Sequence, residues 1–172
     1  MSALVLYATT TRRTESAAQE IRAQLSKHTP TSLAAVDSWD FDKTCDYRLI
    51  IAGSPTTGQG QLHRHWRSAQ SAVEVLCLNH LSVAVFALGD QKYHSGTFGN
   101  ALWLLHELWQ TTGAQSTGQT RCIDYQTDRV PHLHDKQLLP GLLLDQISQR
   151  RFTPQRIEAW IAQLMDQEDL KS

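Results

Sequence analysis

The sequence predicts an α/β fold, a doubly wound five-stranded parallel sheet with helices on both faces. Two observations predict it. Short apolar runs alternate with helical patterns along the chain, and three of those runs open directly into loops of small polar residues. Strands that alternate with helices pair in parallel, and right-handed crossovers place helices on both faces. Ligands in such sheets sit beyond the carboxyl ends of the strands. Residues 1–172 read as a single domain, without a linker, repeat or low-complexity segment.

Residues 3–8 form the first strand. A helix over 14–26 follows, with Ala17, Ile21 and Leu25 at four-residue spacing. Residues 31–36 give a weak second strand. The third, 47–53, has a β-branched centre, and Pro55, Gly58 and Gly60 make 54–60 a loop. Residues 62–75 read as a helix, 81–88 as the fourth strand and 89–97 as a loop. A helix over 98–112 turns Ala101, Leu105 and Leu108 inward. Residues 114–118 start a fifth strand, and 119–142 are irregular. The last helix opens with Thr153 as N-cap and Pro154 at its first position, then buries Ile157, Trp160, Ile161 and Leu164. Trp103, Trp109 and Trp160 are packing residues.

Composition narrows the function classes. With 41% hydrophobic residues the chain can bury a core without staples. A net charge of −1 and a pI of about 6.7 give no electrostatic reason to expect nucleic acid or an anionic membrane. Cys45, Cys77 and Cys122 are odd in number and widely spaced, as expected of reduced thiols in the cytoplasm. No signal peptide or transmembrane stretch is visible. No metal site is expected. His63 and His65 lie two apart on a predicted helix and share no face, and His132 and His134 with Asp135 suit only adventitious binding. A phospho-acceptor receiver would need a carboxylate where Gly53-Ser54 ends the third strand.

The loops carry the chemistry. Thr9, Thr10, Thr11 and Thr14 crowd the turn between the first strand and its helix. Hydroxyls, outward N–H groups and a helix N-terminus together suit a phosphate. The plainer reading is a polar turn with Thr14 as N-cap. Arg12 and Arg13 stand where phosphate loops usually hold glycine. If Arg12 needs positive φ it carries strain of about 1 kcal/mol, which pairing of its guanidinium with a phosphate would offset. In the second loop Gly58 and Gly60 either shape a turn or let the backbone approach a ligand. In the third, Asp90 either closes a turn or faces a ligand.

In this order the loops resemble those of flavodoxins over essentially the whole chain. Thr9-Thr10-Thr11-Arg12-Arg13-Thr14-Glu15 resembles T-x-T-G-x-T-E, which cradles the phosphate of FMN. Pro55-Thr56-Thr57-Gly58-Gln59-Gly60-Gln61-Leu62-His63-Arg64-His65-Trp66 resembles P-T-W-G-x-G-E-L-Q-x-D-W. Gly89-Asp90-Gln91 resembles the G-D-Q loop over the other flavin face, and 141–149 resembles G-L-x-L-D-x-x-N-Q. The resemblance implies a long-chain flavodoxin with an insertion in the last strand. Thr9, Thr10, Thr11, Arg12, Arg13 and Thr14 would hold the phosphate. Pro55, Thr56, Thr57 and Gly58 would line one flavin edge. Gly89 and Asp90, with Tyr93 or His94, would line the other.

The departures are specific. Arg12 replaces the loop glycine, and Thr57 replaces the stacking tryptophan. His94 falls in register with the second stacking aromatic, one place after Tyr93. Ile147 stands where many long-chain members have an acid. Gln61, His63 and His65 occupy positions expected at the flavin rim. The implied function is one-electron transfer by a monomer between a reductase and an acceptor protein, rather than catalysis on a small molecule. Two alternatives remain: a module for protein binding or regulation that has lost FMN, and an FMN-dependent quinone reductase using the less covered flavin face.

Overall fold

The computed structural model describes residues 2–122, 125 and 138–169. Strands β1 (Ala3–Tyr7), β2 (Thr31–Ala35), β3 (Leu49–Pro55), β4 (Ser82–Gly89) and β5 (Gln115–Ser116) stand in the order β2-β1-β3-β4-β5, and every pairing is parallel. The central strands are almost wholly buried because both their faces are covered, which explains their continuous apolar sequences. Further along β4, Phe86–Gly89 pairs with β8 (Leu142–Asp145), again in parallel. Two successive segments therefore share one edge of β4. Between them lies an antiparallel pair, β6 (Thr120–Arg121) and β7 (Leu138–Leu139).

Alternation along each strand divides the core. Leu4, Leu6, Ile50, Ala52, Val83 and Val85 face α2 (Arg64–Glu74) and α3 (Asn100–Gln110), where Trp66, Leu105 and Trp109 meet them. Val5, Leu49, Ile51, Ala84 and Phe86 face α1 (Arg13–Leu25) and α4 (Thr153–Asp169), with Ile21, Ile157 and Trp160. Two buried indoles also tie helices to backbone. Trp66 Nε1 donates to the Gly53 carbonyl at 2.8 Å, and Trp160 Nε1 donates to the Gly118 carbonyl at 2.7 Å. The strand order reverses between β1 and β3, so the loops leaving their carboxyl ends open beside one another.

Two helix starts differ from expectation. Thr153 is not an N-cap: a 3-10 turn over Arg150–Phe152 precedes it, and Thr153 already has helical φ −56 and ψ −49. Its hydroxyl oxygen accepts instead from Gln146 Nε2 at 3.3 Å. Thr14 does not cap α1, because the helix starts at Arg13 and Arg12 occupies the N-cap position.

Candidate functional site

The loops after β1, β3 and β4 enclose a cavity of about 590 Å³. Thr10, Thr11, Arg13 and Thr14 line it from the first loop and the start of α1. Pro55, Thr56, Thr57 and Gly58 line it from the second, and Gly89, Asp90 and His94 from the third. Three residues named from the sequence, Thr9, Arg12 and Tyr93, are not among its lining residues. Five others complete the wall: Leu88, Thr97, Phe98, Gln146 and Ile147. Phe98 reads as core from its apolar helical register, and it serves both roles. It is 1% exposed, and its ring packs so closely that a Cβ on Gly89 would lie 2.6 Å from Phe98 Cδ2. Thr97 and Gln146 carry no local signal, since a polar loop residue looks the same inside a cavity or outside one.

One end of the cavity is built for an anion. Helix α1 begins without a side-chain cap, leaving the N–H groups of its first turn available at the positive end of the helix dipole. Arg12 sets that start by adopting the left-handed conformation at φ 62, which no other non-glycine described residue does. Its side chain is 88% exposed, with Nε 3.6 Å from Glu15 Oε2. The cation on the wall is therefore Arg13, while Arg12 shapes the backbone. Two further hydroxyl oxygens, Thr9 Oγ1 and Thr56 Oγ1, are buried with no hydrogen-bond partner among the described residues.

Thr10 is tied to the second loop. His63 Nε2 lies 2.9 Å from Thr10 Oγ1, and His63 Nδ1 accepts from the His65 N–H at 3.2 Å, capping α2. Because His63 precedes the helix, the no-shared-face expectation for the two histidines fails: their rings stand 4.6 Å apart, edge to face. His65 Nδ1 is 3.5 Å from Asp37 Oδ2. Neither histidine is among the residues that line the cavity. Burial pushes the His63 pKa down, and His65, Arg64 and Arg67 add to that against Asp37. These effects favour the neutral imidazole.

The second and third loops wall the rest of the cavity. Thr57 and Gln61 close a small antiparallel bridge, with N···O distances of 2.9 and 2.8 Å, and Gly58 turns the chain between them at φ 53. The Thr57 hydroxyl donates to the carbonyls of Gln61 and Leu62, at 3.2 Å each. Asp90 closes its turn by accepting the N–H groups of Lys92 and Tyr93 at 3.0 Å, and it lines the cavity too. Tyr93 is 68% exposed, its ring beneath Lys92 Nζ at 5.2 Å, so His94 is the ring-bearing residue of this loop at the wall.

Asp145 braces the far side. Its side chain is fully buried at the end of β8, where it accepts the N–H groups of Ile147 and Ser148 at 2.9 Å and the Ser148 hydroxyl. Burial pushes this carboxyl up, but the hydrogen bonds from Ser148, Ile147 and Gln91 outweigh it and hold the pKa below the usual range. Among the described residues no group of three or more His, Cys, Asp or Glu side chains is arranged to hold a metal ion. His132, His134 and Asp135 lie outside the described residues.

The cavity thus joins the uncapped start of α1 to walls supplied by the second and third loops, at the switch point of a parallel sheet. Comparison with known proteins converges on the same fold. The chain is 31% identical over 160 residues to a flavodoxin from a Nostoc species, covering 93% of each chain. It is 30% identical over 165 residues to flavodoxin 2 of Escherichia coli, covering 95% of this chain and 94% of that one. Among solved structures, a Fusobacterium nucleatum flavodoxin bound to flavin mononucleotide superposes with a TM-score of 0.88 at 23% identity, over 96% of this chain and 98% of that one. The oxidised flavodoxin 2 of Bacillus cereus superposes at 0.76 with 21% identity, over 97% and 99%. The family model described as Flavodoxin matches residues 5–132, and this chain belongs to the flavodoxin family.

Proposed function

We propose that this protein binds FMN non-covalently in the cavity and carries single electrons between a reductase and an acceptor protein, as a monomer in the cytoplasm. The observation that carries this reading is one cavity walled by all three loops, with Thr10, Thr11, Thr14, Arg13 and the uncapped start of α1 together on its wall. Its volume suits a ligand of this size. The residues present fit the cofactor. Thr10, Thr11, Thr14, Arg13 and the uncapped α1 N-terminus meet the needs of a phosphate monoester. Thr57 and Gly58 line the cavity from the second loop and would border one side of the flavin ring, and Asp90 with His94, from the third loop, would border the other.

Bound flavin supplies the one-electron chemistry. The chain's residues hold and orient it and limit water at its faces. Thr57 covers less ring area than a large aromatic would, and Ile147 brings an apolar, 38% exposed side chain to the wall. No described helix is long and apolar enough to cross a membrane. The test is reduction of a haem acceptor by the FMN-loaded protein with NADPH and a flavoprotein reductase. Turnover should need all the components. NADPH oxidation with a quinone and no reductase would support the quinone reductase instead.

A further inference from the structure

We propose that His63 is a positioning residue for phosphate recognition: its Nε2–H holds the Thr10 oxygen as an acceptor and so turns the Thr10 hydroxyl proton toward the cavity. The inference rests on the FMN reading above and concerns how this chain tells FMN from unphosphorylated riboflavin.

The hydrogen bonds fix the ring's protonation pattern. A backbone N–H can only donate, so the nitrogen that accepts from His65 N–H at 3.2 Å, Nδ1, carries a lone pair. A neutral imidazole then bears its proton on Nε2. Nε2 lies 2.9 Å from Thr10 Oγ1, and the donor direction runs from the ring to the hydroxyl oxygen. The Thr10 hydroxyl keeps one proton to give, and Thr10 lines the anion-binding end. A phosphate dianion only accepts hydrogen bonds, so a hydroxyl committed as a donor toward it is worth more than one free to rotate.

The surroundings favour this arrangement. His63 is 4% exposed, which holds the ring in one orientation. Arg64, His65 and Arg67 of α2 oppose its protonation, and Asp37, in the turn after β2, favours it. The loop that carries Thr10 adds Arg13 and the Glu15-paired Arg12. Protonation would place an N–H at Nδ1 against the His65 N–H, two donors facing each other, and would undo the α2 cap.

Two substitutions separate the two jobs of this ring. His63→Asn places an oxygen near the position of Nδ1 and keeps the cap, but reaches no further. His63→Gln places an N–H near the position of Nε2 and keeps the link to Thr10. Apoprotein is titrated with FMN and with riboflavin, following quenching of flavin fluorescence. His63→Asn should lower the ratio of FMN to riboflavin affinity about tenfold, the scale of one hydrogen bond to a charged group. His63→Gln should hold that ratio within about twofold of wild type even if it melts earlier. Nitrogen NMR of the apoprotein at neutral pH should show His63 as the Nε2–H tautomer. An unchanged ratio in folded His63→Asn, or an Nδ1–H tautomer or imidazolium, would overturn the proposal. If the wild type bound neither flavin, the FMN reading would fall and the phosphate role with it, a result distinct from binding that ignores His63.

Discussion

Arg12 and Arg13 are adjacent, yet they do different things. Arg12 spends its backbone on the left-handed start of α1 and its side chain on Glu15, while Arg13 reaches the cavity wall. Glycine accepts φ 62 without a Cβ clash, so Arg12→Gly should raise stability by about 1 kcal/mol in urea denaturation. The exposed pair with Glu15 offsets little of that gain. Its FMN affinity should stay close to wild type at moderate salt. Arg13→Ala should lower FMN affinity severalfold, and the wild-type advantage should shrink as salt screens the ion pair. Equal losses in both variants would contradict the division of roles. Thr57 is the other decisive residue. Thr57→Trp should tighten FMN binding by up to about tenfold by covering one ring face. Its hydroxyl bonds to Gln61 and Leu62 would be lost, while the backbone bridge that closes the turn would remain. A folded variant with no gain in titration would show that residue 57 does not face the ring. Residue type and order were enough to single out Thr10, Thr11, Thr14, Thr56, Thr57 and Gly58, which line the cavity, while Thr9 does not. The split between Arg12 and Arg13 was not legible, since it depends on which residue takes the positive φ.

At the scale of elements, β8 organises the end of the site. Gly141 enters it so close to β4 that an added Cβ would lie 1.9 Å from the Val85 carbonyl oxygen. Backbone cannot give way as a side chain can, so Gly141→Ala should cost about 1–3 kcal/mol, the usual range for overpacking. Thermal melting checks this, and an unchanged midpoint would contradict the close approach. Asp145 ends the same strand and adds a pH dependence. Its folded pKa is held below the ordinary 3.8. Its contribution is therefore complete above that value and is lost as pH falls through the lowered folded pKa. Asp145→Asn should lower stability by about 1–3 kcal/mol at neutral pH, because an amide cannot satisfy all the donors aimed at the carboxylate. Unfolding measured from neutral pH down to about pH 2 should show the gap between variant and wild type closing only below the ordinary carboxylate range. A gap that stayed constant would show that Asp145 is not ionised in the fold. The main strands were readable because burial on both faces leaves continuous apolar runs. The start of α4 was not, since Thr153-Pro154 has the composition of a cap while the turn before it has already wound the chain.

Across the whole molecule, the fold and the function depend on different parts of the sequence. Hydrophobic periodicity and strand order place the cavity at the β1/β3 switch point whatever the loops contain. The loops then decide what enters. Loop order made it legible that three separate loops wall one cavity. Contacts between loops, such as His63 with Thr10, had no sequence signal because 53 residues separate the partners. The molecule's charge of −1 gives no strong long-range field, so recognition rests on this local chemistry. The most direct measurement is titration of the purified apoprotein with FMN, followed by quenching of flavin fluorescence and repeated with riboflavin. Saturable quenching at one FMN per chain and weaker binding of riboflavin are expected, since only FMN brings a charge to the first loop. Absence of saturable FMN binding by the folded chain would contradict the FMN reading and leave a flavodoxin fold that has given up its flavin.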